Sequence, residues 1–390
     1  MYRIGDEEVR AVEKVIKSRQ LFRFNEGNKE VASFEKELAE KIGTKYSLAL
    51  TGGTGALISA LVGIGAGPGD EIIVPAYTFM ATALAVVAVG AIPVIAEVDD
   101  SLTINPDDVE KKISKYTKAI IPVHMLGLPC NMDRIKEIAE KHNLQIVEDC
   151  CQADGGSYKG RRLGSIGDAG AFSFNYFKII TAGEGGAVTT NDEYIYEKAL
   201  IYHDGGTAFR PHAGGLKTPI FIGSQLRSNE IAGAILRVQL QRLDDILSDL
   251  RKVKKAFMSR LEGEKNIKFI RSNDIKGDCG SNVGFLLQSE NAARKFAASE
   301  GVNSGVLIDS KKHVYFDWEP IMKKRGSHHP VLDPFKLLQN KDLNMNYSYD
   351  MCPNALDILS RTVIVGMSPD WSEADIEKKA EAYRKSAAAL

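Results

Sequence analysis

The strongest constraint on how this chain can fold is a change of rhythm at residue 46. From there to residue 190, short apolar runs alternate with longer segments of helical spacing. The runs at 47–50, 71–74, 92–96, 119–123, 145–148, 169–174 and 186–190 have the length and composition of strands. The segments at 55–64, 78–89, 106–112 and 132–143 repeat apolar residues with the period of a helix. This β-α-β-α order predicts an α/β fold: a large domain with a mostly parallel sheet flanked by helices. In such sheets ligands sit beyond the carboxyl ends of the strands, so the residues that follow each strand carry the candidates for chemistry.

The flanking regions follow other patterns. Two amphipathic helices are expected at 5–18 and 31–42, joined by a loop at 21–28. After residue 229, Ile231, Ile235, Val238, Leu243, Ile246 and Leu250 predict one long helix reaching residue 261. A helix of that length often joins two domains. Strands at 267–271 and 283–287, with helices at 291–300 and 372–385, then predict a smaller C-terminal α+β domain. The expected division is a large domain at 1–240 and a small one at 241–385. The closing S-A-A-A-L at 386–390 has the look of a cloning scar outside the fold.

Composition excludes several classes of partner. The formal net charge of -1 gives no reason to expect nucleic acid or an anionic membrane surface. The most apolar stretch, 81–96, is interrupted by Gly90 and Pro93 and is too short to span a membrane. The acidic N-terminus lacks the apolar core of a signal peptide. Five cysteines, an odd number without C-x-x-C spacing, argue against a disulfide framework and a zinc site. The expectation is a cytoplasmic, reduced protein with no metal.

Four stretches carry chemistry. T-G-G-T-G-A-L at 51–57 lies at a strand-to-helix junction, where backbone N–H groups form an anion site suited to a phosphate. A tight βα turn, or a nicotinamide-cofactor turn, has a similar look. V-E-D-C-C-Q-A at 147–153 ends a strand in Glu148 and Asp149. Asp149 can pair with a ligand cation or cap a helix, and Gln152 offers an amide to the same place. P-A-Y-T-F-M-A-T at 75–82 presents Phe79, either to a planar ring or to the core. A-F-S-F-N-Y-F-K-I-I-T-A-G-E-G-G at 171–186 runs from an apolar strand through Lys178 into a glycine-rich turn. Burial there would disfavour the charged amine, the condition for a lysine that forms an imine. A surface lysine beside a hairpin has the same sequence. Together, a phosphate turn, a ring face, an acid and an amine are the groups that pyridoxal 5′-phosphate needs.

These motifs, with G-A-I-P-V at 90–94 and Y-K-G-R-R-L-G at 158–164, resemble the DegT/DnrJ/StrS group of sugar aminotransferases, of the type I aspartate-aminotransferase fold. The resemblance covers nearly the whole chain and is strongest between 46 and 240. It implies that Lys178 is the Schiff-base lysine and that Asp149 pairs with the protonated pyridine nitrogen. It implies also that Phe79 stacks on the ring, that Gln152 approaches the phenolic oxygen, and that Gly53, Thr54 and Ser173 hold the phosphate. The family's N-Y-R-M segment, whose asparagine reaches the neighbouring subunit's phosphate, reads Q-L-R-S here and places Gln225 in that role. Where the family often has histidine after S-F, this chain has Asn175. The implied activity moves an amino group from an amino acid, glutamate or glutamine, to a keto or aldehyde sugar, nucleotide-linked or free, sugar acids included. The implied assembly is a homodimer with shared active sites.

Two other activities compete with this one. Dehydratases of the same family carry histidine where transaminases carry lysine, so Lys178 favours transamination. A short-chain dehydrogenase would use T-G-G-T-G for a nicotinamide cofactor and Tyr194–Lys198 as its Y-x-x-x-K pair, although its later glycines would fall at Ala56 and Ile58. For the acceptor, the segments at 209–217, with Arg210 and Lys217, and at 328–330, with His328 and His329, are candidate loops.

Overall fold

A computed structural model describes residues 3–24, 27, 29–302 and 304–390 of the chain. Two amphipathic helices open it, α1 (Asp6–Ser18) and α2 (Glu30–Ile42). In the loop expected between them, Asn25, Glu26 and Asn28 lie outside the described residues. The alternation then runs β1 (Tyr46–Leu50), α3 (Gly53–Gly63), β2 (Glu71–Pro75), α4 (Ala81–Ala88) and β3 (Ile92–Ala96). It continues with α5 (Pro106–Lys112), β4 (Thr117–Ile120), α6 (Met132–His142) and β5 (Gln145–Asp149). After a small ladder of β6 (Ser157–Tyr158) and β7 (Arg161–Arg162) come β8 (Ala169–Ser173), β9 (Gly186–Thr190) and α7 (Glu193–His203). The long α8 (Glu230–Ser259) leads to β10 (Lys268–Phe269), β11 (Asn282–Leu286), α9 (Glu290–Ala298) and α10 (Glu319–Met322). The fold closes with α11 (Pro353–Ser360), β12 (Thr362–Gly366) and α12 (Glu373–Ala388).

The large sheet has the order β1-β9-β8-β5-β4-β2-β3. From β8 to β3 every pairing is parallel, and every residue of β2, β3 and β8 is buried, as a sheet covered on both faces requires. The exceptions are β8–β9 and β9–β1, which are antiparallel. No helix separates β8 from β9, and a parallel pairing needs a crossover that spans the sheet. Lys178 lies in that helix-free connection.

Two expected elements are shorter than their spacing predicts, one for a local reason and one because of a distant partner. The strand expected at 119–123 leaves the ladder after Ile120, because Pro122 has no N–H to donate. The Pro122 carbonyl still accepts the Asp149 N–H at 2.9 Å. The helix expected from 78 begins only at Ala81. Thr78 and Met80 instead donate their N–H groups to the carbonyls of His313 and Lys312, both at 3.0 Å.

The domain division differs from the expected one in two respects. Position 240 falls inside α8, and the helix changes cores further along: Leu243, Ile246 and Leu250 pack in the large domain, while Val253 and Phe257 pack in the small one. Residues from the later part of the chain, among them Leu307, Tyr315, Trp318, Cys352 and Leu359, return to the large core. The small core is left with β10, β11 and β12 around Phe257, Phe285, Phe296 and Tyr383. Strand β12 was not among the expected elements, although its T-V-I-V-G run has the right composition. The closing residues set aside as a scar continue α12 to Ala388. Ala387 is buried, and its carbonyl accepts Asn266 Nδ2 at 2.8 Å. Among the described residues no helix is long and apolar enough to cross a membrane.

Candidate active site

A cavity of about 1220 Å³ opens beyond the strand ends. Gly53, Thr54, Phe79, Asp149, Gln152, Ser173 and Lys178 all line it. Of the residues expected to hold the cofactor only Gln225 is left out: it is exposed, on the stretch that pairs with Asp204, one residue before Leu226, which does line the cavity.

The anion end is the start of α3. Its first N–H groups have no partner within the helix, which leaves donors and the positive end of the helix dipole at the cavity wall. Gly53 is glycine because β8 passes so close: a Cβ there would lie 2.7 Å from Ser173 Cβ and 3.0 Å from Cys151 Sγ. Ser173, the last residue of β8 and buried, brings its hydroxyl to the same place.

Asp149 is the last residue of β5, and its carboxylate is held on both oxygens. Thr82 Oγ1 donates to Oδ2 at 2.8 Å, and the Cys151 N–H donates to Oδ1 at 3.0 Å. Donors on both oxygens fix the direction in which the carboxylate points. Alternation along the strand sends Glu148 to the other face. There Oε1 accepts the N–H groups of Ile166 (2.6 Å) and Gly167 (2.8 Å), and Oε2 accepts Gly164 N–H (3.0 Å) and His124 Nε2 (3.2 Å). Burial works to raise the Glu148 pKa, but the His124 bond and the backbone donors outweigh it and hold the carboxyl below its usual range. His124 Nδ1 accepts the Cys130 N–H at 3.1 Å, which leaves the ring proton on Nε2, facing Glu148. His124, Glu148 and Cys150 offer donor atoms within 4.8 Å of one another, a spacing a metal could use. The Glu148 oxygens and both His124 ring nitrogens are committed to these hydrogen bonds, so the pair reads as a clamp behind Asp149.

Gln152 Oε1 accepts the Leu126 N–H at 3.2 Å, which leaves its amide protons for the cavity. Leu126 has φ 60°, a left-handed backbone rare for a branched residue. Its carbonyl accepts Asn282 Nδ2 (3.0 Å) and Ser281 Oγ (3.1 Å), two residues of the small domain that also line the cavity. The same peptide therefore supports Gln152 and fastens the opposite wall.

Phe79 is 39% exposed and stands in the cavity wall, not in the core. Lys178 is half-buried rather than sealed, with its N–H donated to Asn175 O at 2.9 Å. The neighbouring carboxylate, Glu184, is taken by Asn175 Nδ2 at 2.8 Å, and Lys178 makes no ion pair among the described residues. The arrangement brings a free amine, an oriented acid, an aromatic face and an anion turn into one cavity. That donor set fits a phosphorylated pyridine aldehyde.

Behind the lysine loop lies a residue with no expected role. Asp154 is 2% exposed, and among the described residues neither carboxyl oxygen has a hydrogen bond of full geometry, the Ile179 and Ile180 N–H groups standing close by as its only weak donors. Burial pushes its pKa well above the usual carboxylate range, against the pull of Lys178. A carboxyl with a raised folded pKa keeps its proton after the unfolded chain has lost it, so stability falls as pH rises above the unfolded value. Asp154→Asn is therefore expected to stabilise the protein by about 1–3 kcal/mol at pH 8, with the gain vanishing near pH 4. Thermal melts across that range measure it.

Several expected residues are not brought to the cavity. Arg210 donates Nε to Asp204 at 2.7 Å, and Lys217 is paired with Glu193 at 2.5 Å. Neither lines the cavity; the 209–217 segment borders a separate groove of about 470 Å³. His328 and His329 stand exposed on a surface loop. Tyr194, 56% exposed on α7, and Lys198 also lie outside the cavity, which removes the dehydrogenase pair. Conversely Ser281, Asn282, Lys312, His313 and Trp371 line it unannounced. All lie far along the chain from the motifs, and no local pattern marks them.

Known proteins resemble this chain in sequence and in fold. The sequence model of the DegT/DnrJ/EryC1/StrS aminotransferase family matches residues 2–384. GDP-perosamine synthase of Caulobacter vibrioides is 42% identical over 225 residues, 57% of this chain and 59% of the relative. The match thus spans about three fifths of that relative's length. Spore coat polysaccharide biosynthesis protein SpsC of Bacillus subtilis is 30% identical across 98% of this chain and 94% of its own. The solved structure of an aminotransferase from Psychrobacter cryohalolentis superposes with a TM-score of 0.81 at 30% identity, covering 97% of this chain and 96% of that one.

Proposed function

The chain belongs to the DegT/DnrJ/EryC1/StrS aminotransferase family, and from that premise we propose that it is a pyridoxal 5′-phosphate-dependent sugar aminotransferase. The observation that carries the reading is the free Lys178 amine facing the same cavity as the doubly bonded Asp149 carboxylate and the α3 anion turn. When bound, pyridoxal phosphate supplies the electron sink that lets an amino group leave one carbon and join another.

The chain's own residues would do the rest. Gly53 and Thr54 N–H groups, with the Ser173 hydroxyl, would bind the phosphate. Phe79 would lie on the ring, and Gln152 would donate to the phenolic oxygen. Asp149 would hold a proton on the pyridine nitrogen, aimed there by Thr82 and Cys151. Lys178 Nζ would carry the proton between the donor carbon and the cofactor carbon. A lysine at 178 supports amino transfer over the dehydration performed by relatives with histidine there.

The donor is glutamate or glutamine and the acceptor a keto or aldehyde sugar, in keeping with relatives named for an amino sugar nucleotide and for polysaccharide biosynthesis. The active form is a homodimer. Ile220, Phe221 and Ile222 are exposed at 47%, 38% and 95%, just before Gln225, and Phe177 at 79% stands beside Lys178. An apolar face of this kind suits a second copy, whose phosphate site Gln225 would then reach. Sedimentation equilibrium at micromolar concentration should give twice the chain mass, and a monomer would refute the assembly.

The activity itself is tested by adding pyridoxal phosphate to the purified protein and following absorbance. A band near the visible edge should form and bleach with L-glutamate. A panel of keto sugars should include one that restores it. No band at saturating cofactor would sink the proposal.

A further inference from the structure

The segment 311–314 is held against the Phe79 segment by hydrogen bonds that sequence position alone could not anticipate. Met80 N–H and Trp318 Nε1 donate to the Lys312 carbonyl at 3.0 and 3.1 Å, and Thr78 N–H donates to the His313 carbonyl at 3.0 Å. Tyr315 N–H donates to Ala76 O at 3.0 Å, and Tyr77 bridges Val314. Trp318 and Tyr315 are fully buried, so the segment is anchored in the large core. Lys311 adopts φ 50°, a left-handed conformation that turns the chain at this point. The result is two side chains on the cavity wall that none of the roles above uses.

Lys312 Nζ lies 5.6 Å from the Phe79 ring centroid and makes no ion pair among the described residues. His313 packs 5.9 Å from the same ring and 6.4 Å from Tyr77. Burial, with Lys312 and Lys178 nearby, lowers its pKa to about 4, so the imidazole is neutral and can both donate and accept. The acids of the cavity are already engaged, Asp149 by Thr82 and Cys151 and Glu184 by Asn175. Beyond the catalytic amine, this wall carries one uncompensated cation beside one neutral imidazole.

The geometry points to Lys312 and His313 as the acceptor-recognition pair, with Lys312 taking an anionic group of the acceptor and His313 exchanging hydrogen bonds with its hydroxyls. This assignment rests on the aminotransferase reading. The anion is either a sugar carboxylate or the diphosphate of a nucleotide-linked sugar, chemistries that both suit an ammonium.

Calorimetric titration of the cofactor-loaded enzyme with D-glucuronate and, separately, with GDP distinguishes the two sources. At least one should bind at millimolar concentration or better, with an affinity that falls as salt rises. Lys312→Gln should weaken that probe about tenfold and flatten its salt dependence. The loss should exceed any change in the KM for L-glutamate in the donor half-reaction. His313→Ala should weaken D-glucuronate or GDP to a lesser degree, with recovery in His313→Gln. The assignment is overturned if neither probe binds, if Lys312→Gln binds as the parent does, or if glutamate suffers the larger loss. A parent enzyme without a glutamate half-reaction would fail earlier and would count against the aminotransferase reading itself.

Discussion

Lys178→Ala is expected to lower amino transfer by at least about 10⁴-fold while the protein melts where its parent does. The size follows from two losses at once. The variant lacks the amine that would bond the cofactor, and it lacks the base that would move the proton, a role worth about 10²–10⁴ by itself. The unchanged stability follows from the local structure. Lys178 is half-buried, with no ion pair among the described residues, and burial already favours the neutral form of the nearby Asp154, so removing the amine strands no buried charge. The loop around it is held by backbone and threonine bonds instead: Phe174 N–H to Gly185 O at 2.8 Å, Tyr176 N–H to Gly183 O at 2.9 Å, and Thr181 Oγ1 to Phe174 O at 3.0 Å. Absorbance with added cofactor, turnover and a thermal melt on one preparation separate these effects. Retained turnover, or a melt lowered by more than a few degrees, would contradict the assignment.

The second large effect falls on stability. Glu148→Ala is expected to destabilise the fold by about 3–5 kcal/mol, because it strands three buried backbone N–H groups and the His124 ring proton together. The imidazole cannot adapt by moving its proton, since Nδ1 must keep accepting from Cys130. Glu148→Gln should recover only part of the loss. Its oxygen can serve Ile166 and Gly167, but its NH₂ would then face Gly164 N–H and His124 Nε2–H, donors against donors. Activity should fall as well. The His124 N–H bonds the Asp149 carbonyl at 3.0 Å, and the turn it heads carries the Leu126 N–H that holds Gln152. Denaturant melts rank the three proteins. Parent-like stability in Glu148→Ala would show that the clamp bears no load.

Much of this was legible in the sequence because it is local. Strand and helix periods located β1, β2, β3, β5 and β9 closely, since side-chain alternation and the apolar stripe of a helix are written within a few residues. The glycine turn at 52–53 was readable for the same reason. Where local signals failed, a distant partner intervened. The first turn of the helix expected at 78 is absent because its N–H groups go to Lys312 and His313, far along the chain. The closing alanines read as a scar because nothing nearby shows that Ala387 has a core to enter.

For this protein the sequence by itself determined the alternating architecture, the family resemblance and the residues that lead from strand ends: Gly53, Asp149, Ser173 and Lys178. Backbone geometry alone carries such residues to the sheet's carboxyl edge, whatever the rest of the chain does. Only the tertiary structure decided which faces they meet across the cavity. It turned Glu148 away to clamp Asp149, paired Arg210 and Lys217 elsewhere, and brought Ser281, Asn282, Lys312 and His313 to the opposite wall. Those meetings depend on how α8 passes from one core to the other and how the segment around Trp318 returns to the first. Such long-range packing leaves no periodic trace in the chain.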